Sequence, residues 1–301
     1  MLLCVLMIGG AAASMTSAAA PQIGLAVSTL NNPFFVDLRD GALEAADKAG
    51  LSITVADAQN DPNRQLSQIE NFIQQGVSII LVNPCDSAAI VPAIKAANKA
   101  KIPVITVDRG ADGGEVVCHI ASDNVEGGRM AGEYLAELVG YKGKVVELEG
   151  IPGTSAARDR GTGFNEVMKK YPDIKIVARQ EAGFDRAKGM TVMENILQAQ
   201  PEIDGIFCHN DEMALGALRA VEAAGRLSAI KIVGFDATDD AVKSVKDGKL
   251  VATVAQKPRV MGSMAVDTAK QILTHGKHPI CLSQKAYIVS NHDTGSPYNT
   301  T

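Results

Sequence analysis

Ile102-Pro103-Val104-Ile105-Thr106-Val107-Asp108-Arg109 is the stretch on which the fold turns. Val104–Val107 is apolar or β-branched throughout, without the alternation of a strand that has one wet face. Such a run suits a strand covered on both sides, as in a parallel sheet. It stops abruptly on an acid and a base. The same unit, a short apolar run, a polar stop and an amphipathic helix, recurs in both directions along the chain. Strands are predicted at Ile23–Val27, Leu51–Ala56, Ile79–Val82, Val104–Val107 and Val116–Ile120. A second series follows at Lys144–Leu148, Ile174–Ala178, Gly205–Phe207, Ile230–Gly234 and Val251–Ala255. The first helix is punctuated by Asn32-Pro33 as N-cap and first helical residue and by Gly50 at its end. Other helices are predicted at Asn63–Gln75, Ala88–Ala100, Val125–Leu138, Ala156–Lys170, Arg186–Gln200, Glu212–Ala224, Asp239–Asp247 and Val260–His275.

Two series of β-α units predict an α/β protein of two doubly wound parallel-sheet lobes. The chain has 301 residues, enough for two cores. No low-complexity linker separates the series, so several short crossovers acting as a hinge are expected. One lobe is expected over residues 22–122 with about 257–285, the other over 123–256 with about 286–301. Met1 to Ala20 carries no charged side chain and ends Ser17-Ala18-Ala19-Ala20, which reads as a cleaved secretory signal lacking the usual basic start. A net charge of −5 gives no support to a nucleic-acid partner. The five cysteines form no CxxC, and Cys118 and Cys208 read as small hydrophobes in strands rather than as parts of a disulfide framework.

The polar stops are the functional signal: Asp57, Asn83, Asp108-Arg109, Asp123, Asn210, Asp236 and Gln256. Open parallel sheets bind ligands just outside the carboxyl ends of their strands. Turns are polar in any protein, which accounts for part of this pattern. Enzyme signatures fail: Gly161-Thr162-Gly163 lacks the third glycine of a dinucleotide fingerprint, no Lys follows Gly150–Ser155, and GxSxG and HExxH are absent. The histidines show no metal spacing, His119 and His209 read as structural, and Asp211-Glu212 reads as a favourable pair of charges opening a helix. No catalytic residue, metal or cofactor is expected. Phe34-Phe35, adjacent in a chain with only 4% aromatics, beside a strand end, read either as a core pair or as a platform for an apolar ligand face. Aromatic faces match the C–H faces of a sugar, and Asp, Asn, Gln and Arg match its hydroxyl rim.

Six blocks make this pattern specific. Ser28–Phe35, Ile102–Arg109, His119–Asn124, Gly153–Gly161, Asn210–Ala217 and Val233–Asp236 together resemble the bacterial periplasmic ribose-binding proteins, members of the type I sugar-binding family of ABC transporters, from about Ile23 to Gly262. The resemblance implies a periplasmic protein, a monomer, that closes two lobes on D-ribose and presents the closed form to an ABC-type permease, with a chemotaxis receptor as a further candidate partner. It implies a pocket of Asn32, Phe34, Phe35, Asp108 and Arg109 from one lobe and Arg160, Phe184, Asn210 and Asp236 from the other, with Gln256 at a hinge crossover. Arg158 is the competing arginine in its block. The tail from His275 to Thr301 matches poorly. Allose or another close sugar stays open as the ligand. A sugar-responsive repressor core shares the two-lobe plan but would need a DNA-binding segment before Gln22, where only apolar and small residues stand.

Overall fold

Asn32 starts the first helix by accepting a hydrogen bond from the Phe34 amide at 2.9 Å, and Gly50, with φ of 67°, ends it. The computed structural model describes residues 22–276 and 285–290. The signal expected at 1–20 and most of the poorly matching tail lie outside these residues. The first sheet contains β1 (Gln22–Val27), β2 (Ser52–Asp57), β3 (Ile79–Val82), β4 (Val104–Val107) and β5 (Cys118–Ile120) in the order β2-β1-β3-β4-β5, all parallel. Helices α1 (Pro33–Ala49), α2 (Pro62–Gln75) and α3 (Val91–Lys99) connect its strands. After α4 (Asn124–Leu138) the second sheet gathers β6 (Gly143–Glu149), β7 (Ile174–Glu181), β8 (Gly205–Cys208), β9 (Lys231–Asp236) and β10 (Ala252–Ala255), connected by α5 (Ser155–Lys170), α6 (Arg186–Ala199), α7 (Asp211–Ala223) and α8 (Asp239–Lys246). The chain then passes through α9 (Pro258–His275) to β11 (Tyr287–Ser290), and the second sheet is ordered β11-β10-β9-β8-β6-β7.

Both sheets are covered on two faces, as the unalternating strands require: β3, β4, β8 and β10 are buried at every residue. Leu38 of α1 and Val266 of α9 share one core against β1, β3 and β4, while Ile69 of α2 and Ile94 of α3 fill the other face. In the second lobe α4 and α5 cover one face and α6, α7 and α8 the other. Thus α9 follows β10 in sequence yet packs on the first lobe, against α1. The two helix pairs meet in the same way. Gly41 faces the Arg259 carbonyl and Gly262 the Leu38 carbonyl, while Gly128 faces the Arg160 carbonyl and Gly163 the Val125 carbonyl, each with no room for a Cβ.

Beyond shifts of one or two residues at other element ends, the structure departs from the sequence reading at four places. Helix α3 begins at Val91 rather than Ala88, because Asp86 caps a preceding turn through the amides of Ala88 and Ala89. Strand β7 runs on to Glu181, with a register shift against Val145 and Val146 that inserts one residue. Strand β11 was not among the predicted strands, though its segment was assigned to the second lobe, and it pairs antiparallel with β10. Cys118 is disulfide-bonded and not the free apolar thiol expected of it. Its strand is the edge of the first sheet, where other segments of the chain can reach it. Cys85 and Cys208 are free and buried.

Candidate functional site

Each sheet reverses its winding once, between β1 and β3 and between β6 and β8. Adjacent connections leave these points in opposite directions, opening a crevice at the carboxyl ends of the strands. The two crevices face each other. Asn32, Phe34, Phe35, Asp108 and Arg109 from the first lobe and Arg160, Phe184, Asn210 and Asp236 from the second line one cavity, together with Ala156. Gln256 completes the set through its side-chain amide, which donates to Asp236 Oδ1 at 2.8 Å. All ten expected residues are therefore brought together.

The backbone works to place them. Asp108, Phe184 and Asp236 have φ of 64°, 60° and 125° respectively, conformations costly for residues with a Cβ. Such strain persists only where surrounding contacts dictate it. Asp108 Oδ2 accepts from Asn83 Nδ2 at 3.1 Å, and the Asn83 side chain also holds the end of β4 through the Val107 carbonyl. Asn210 caps α7 by accepting from the Met213 amide at 3.0 Å. Arg160 Nε donates to Asn124 Oδ1 at 2.8 Å and its Nη1 donates to the His209 carbonyl at 2.6 Å. Behind it His209 Nε2 meets Glu147 at 3.0 Å.

Charge is balanced across the cavity. Arg109 stands 3.9 Å from Asp108 and Arg160 stands 3.6 Å from Asp236. Burial pushes both acids up from their ordinary range and both arginines down, and each partner charge pulls the other way. The rings of Phe35 and Phe184 lie 5.1 and 5.2 Å from the Arg109 guanidinium, and Phe235 lies 3.8 Å from that of Arg160. Phe34 and Phe35 meet edge to face at 5.2 Å and belong to the first lobe's core as well as to the cavity wall. Asp108 Oδ1, Arg109 Nε and Gln256 Oε1 are buried with no hydrogen-bond partner in the protein. Orphans of this kind are expensive in a folded chain, and these three lie together at the cavity, where a water or a ligand can bond them.

Arg158, the competing arginine, points elsewhere. At the rim of the cleft its Nη2 donates to Asp112 of the first lobe at 2.8 Å. Beside it the Ser87 amide donates to the Gly153 carbonyl, the Ser155 amide to Ser87 Oγ and the Gly110 amide to Ser155 Oγ, at 2.9, 3.1 and 2.8 Å. These bonds join the lobes without entering the cavity. Sequence reasoning missed them, along with Asn124 and Ala156. A small residue at a helix start gives no signal, and Asn124 follows the helix cap Asp123 without a pattern of its own. Among the described residues no group of His, Cys, Asp and Glu is placed to hold a metal ion, and no helix is long and apolar enough to cross a membrane.

Residues 23–278 match the family model of the periplasmic binding protein domain. The chain is 50% identical over 276 residues to the ribose import binding protein of Escherichia coli, covering 90% of this chain and 93% of that one. It is 51% identical to the ribose import binding protein of Bacillus subtilis, covering 85% and 82%. A solute-binding protein of an ABC transporter from Bacillus halodurans, solved with myo-inositol, superposes with a TM-score of 0.87 at 33% identity, covering 91% and 96%. One from Actinobacillus succinogenes, solved with D-allose, superposes with a TM-score of 0.84 at 35% identity, covering 90% and 97%. With two facing crevices, one shared cavity and these matches along nearly its whole length, the chain belongs to the periplasmic binding protein family, among its sugar-binding members.

Proposed function

We propose that this protein captures D-ribose in the periplasm by closing its lobes on the sugar, and that an ABC-type permease reads the closed form. The observation that carries the reading is the set of buried polar atoms without partners, Asp108 Oδ1, Arg109 Nε and Gln256 Oε1, in a cavity whose two arginines and two aspartates balance. A neutral ligand rich in hydroxyls satisfies donors and acceptors alike and brings no charge of its own. The disulfide at Cys118 accords with an oxidising compartment. A chemotaxis receptor is a further partner for the same closed shape, and the chain acts as a monomer without catalytic chemistry.

The division of the cavity's polar groups between the two lobes supports closure: a sugar bonded by both sets favours the form in which both reach it. Titration calorimetry with D-ribose, 2-deoxyribose, ribose 5-phosphate and D-allose tests the reading. Ribose is expected to bind at least about a hundredfold tighter than deoxyribose, because a site made for a hydroxyl leaves its own groups unpaired without it. Ribose 5-phosphate should fail for its charge. Equal affinity for ribose and deoxyribose removes the proposal.

A further inference from the structure

Asp211 is completely buried, and its side chain is not among those lining the cavity. It stands at the first turn of α7, one residue after Asn210. Its Oδ2 accepts from the Thr238 amide at 2.8 Å and from Thr238 Oγ1 at 3.2 Å, and its Oδ1 accepts from Thr253 Oγ1 at 2.7 Å. Thr253 Oγ1 in turn accepts from the Ala237 amide at 3.1 Å. The amides of residues 237 and 238, just past Asp236, therefore both end on the Asp211–Thr253 pair. Asp236 and Ala237 are the two residues of this turn with positive φ, at 125° and 57°. Gly234 has no Cβ because Asp211 Oδ1 occupies that space.

Three separate segments meet on this carboxylate: the start of α7, which carries Asn210; the turn after β9, which carries Asp236; and β10, which leads into Gln256. From this convergence we infer that Asp211 is a positioning residue for sugar binding, fastening Asn210, Asp236 and Gln256 into one wall by holding the strained turn from behind. The inference rests on the sugar-binding reading above for its effect on affinity, and on the hydrogen bonds alone for the fastening. Asp211 is not simply a helix-start acid. A charge there that served only the helix dipole would gain nothing from complete burial.

The charged groups facing Asp211 are Asp236 at the end of β9 and Arg160 from α5, with the Cys208 thiol of β8 beside it. Burial lifts Asp211 to about 7 against the pull of its hydrogen bonds. Asp236, raised chiefly by its own burial, is raised further by the Asp211 charge. Replacing that charge lets Asp236 ionise at lower pH, an effect that a purely structural residue would not produce.

The test compares wild type with Asp211→Asn and Thr253→Val, by ribose calorimetry from pH 5 to 8 and by amide hydrogen exchange without sugar. Asp211→Asn puts an amide where donors need an acceptor. It should weaken ribose binding about ten- to a hundredfold at pH 8. The pH at which binding is half lost should move down, and exchange at residues 235–238 should quicken. Thr253→Val keeps the carboxylate and removes one bridging donor; it should fold normally, quicken the same amides and cost a smaller factor. It decides the question should Asp211→Asn fail to fold. Wild-type exchange at 235–238 in the folded variant overturns the fastening. Wild-type ribose affinity with quickened exchange overturns the role in binding. A wild-type protein that binds no ribose overturns the sugar reading instead, while the exchange result still decides the fastening.

Discussion

Arg160 is the residue on which most of the pocket depends. Its guanidinium ties Asn124 at the start of α4, the end of β8 and Asp236 together, and it lies over the Phe235 ring. Removing it leaves Asp236 as a buried acid with no compensating charge, a change that costs about 3–5 kcal/mol where a buried pair loses one partner. Arg160→Ala should therefore reduce ribose binding to near the detection limit of calorimetry, with a near-native circular dichroism spectrum. Phe184 is the gentler case. Its ring is half-buried and lies 5.2 and 5.8 Å from the guanidinium carbons of Arg109 and Arg160. Phe184→Ala should weaken binding by about 1–3 kcal/mol, the range of base–aromatic stacking, and a lower melting temperature with unchanged affinity would show it to be a core residue instead. Asp108, Arg109, Asn210, Asp236 and Gln256 were legible in the sequence because polar residues at strand ends stand out against apolar runs, whereas Arg160 and Phe184 came only from the family resemblance. Asp211 was not legible, since an acid opening a helix is ordinary and only the structure shows three segments converging on it. Nor could spacing choose between Arg158 and Arg160. Two residues apart on a helix, they point about 200° apart, so one enters the cleft and the other meets its rim.

Strand β6 illustrates how an element carries polar weight through a core. Glu147 in its middle is fully buried, yet it meets His209 at 3.0 Å, Arg179 of β7 at 2.7 Å and Asn165 of α5 at 3.1 Å. Burial alone would raise this carboxyl, but His209 and Arg179 hold it below its ordinary 4.5. A lowered acid gives stability that is present above the unfolded value and is lost as pH falls through the folded one. Glu147→Gln should thus lower stability by about 1–3 kcal/mol at neutral pH, and the gap in melting temperature should narrow below about pH 4.5. A gap that widens on acidification would contradict the assignment. The strands themselves were readable because residues such as Val104–Val107 are apolar on both faces. Element ends were less so. Asp86 shortens α3 by capping a turn before it, and the extra residue in β7 follows from pairing with β6, which a single segment's sequence does not contain.

Considered as one body, the protein is two lobes joined where β5 leads into α4, where β10 leads into α9 and where α9 returns to β11. The segment from about residue 257 was assigned to the first lobe at the sequence level, whereas the rim contacts between lobes were invisible, because single polar residues in loops have no periodicity. Those contacts can be weakened singly. The side chains of Arg158 and Asp112 are 43% and 47% exposed, so their pair is worth about 0.2–1 kcal/mol and is screened by salt. Arg158→Ala should lower affinity by no more than about fivefold. The factor should be the same for every sugar bound and should shrink at high ionic strength. Exchanging the two charges should restore it. A shift in preference between sugars would instead place Arg158 in recognition. Ser87, Gly110, Asp112, Gly153, Ser155 and Arg158 touch one another and not the cavity. On the proposed function, what the protein selects and how firmly it shuts are therefore carried by different residues. A descendant can exchange its diet by changing the cavity wall and still offer the transporter an unaltered closed face.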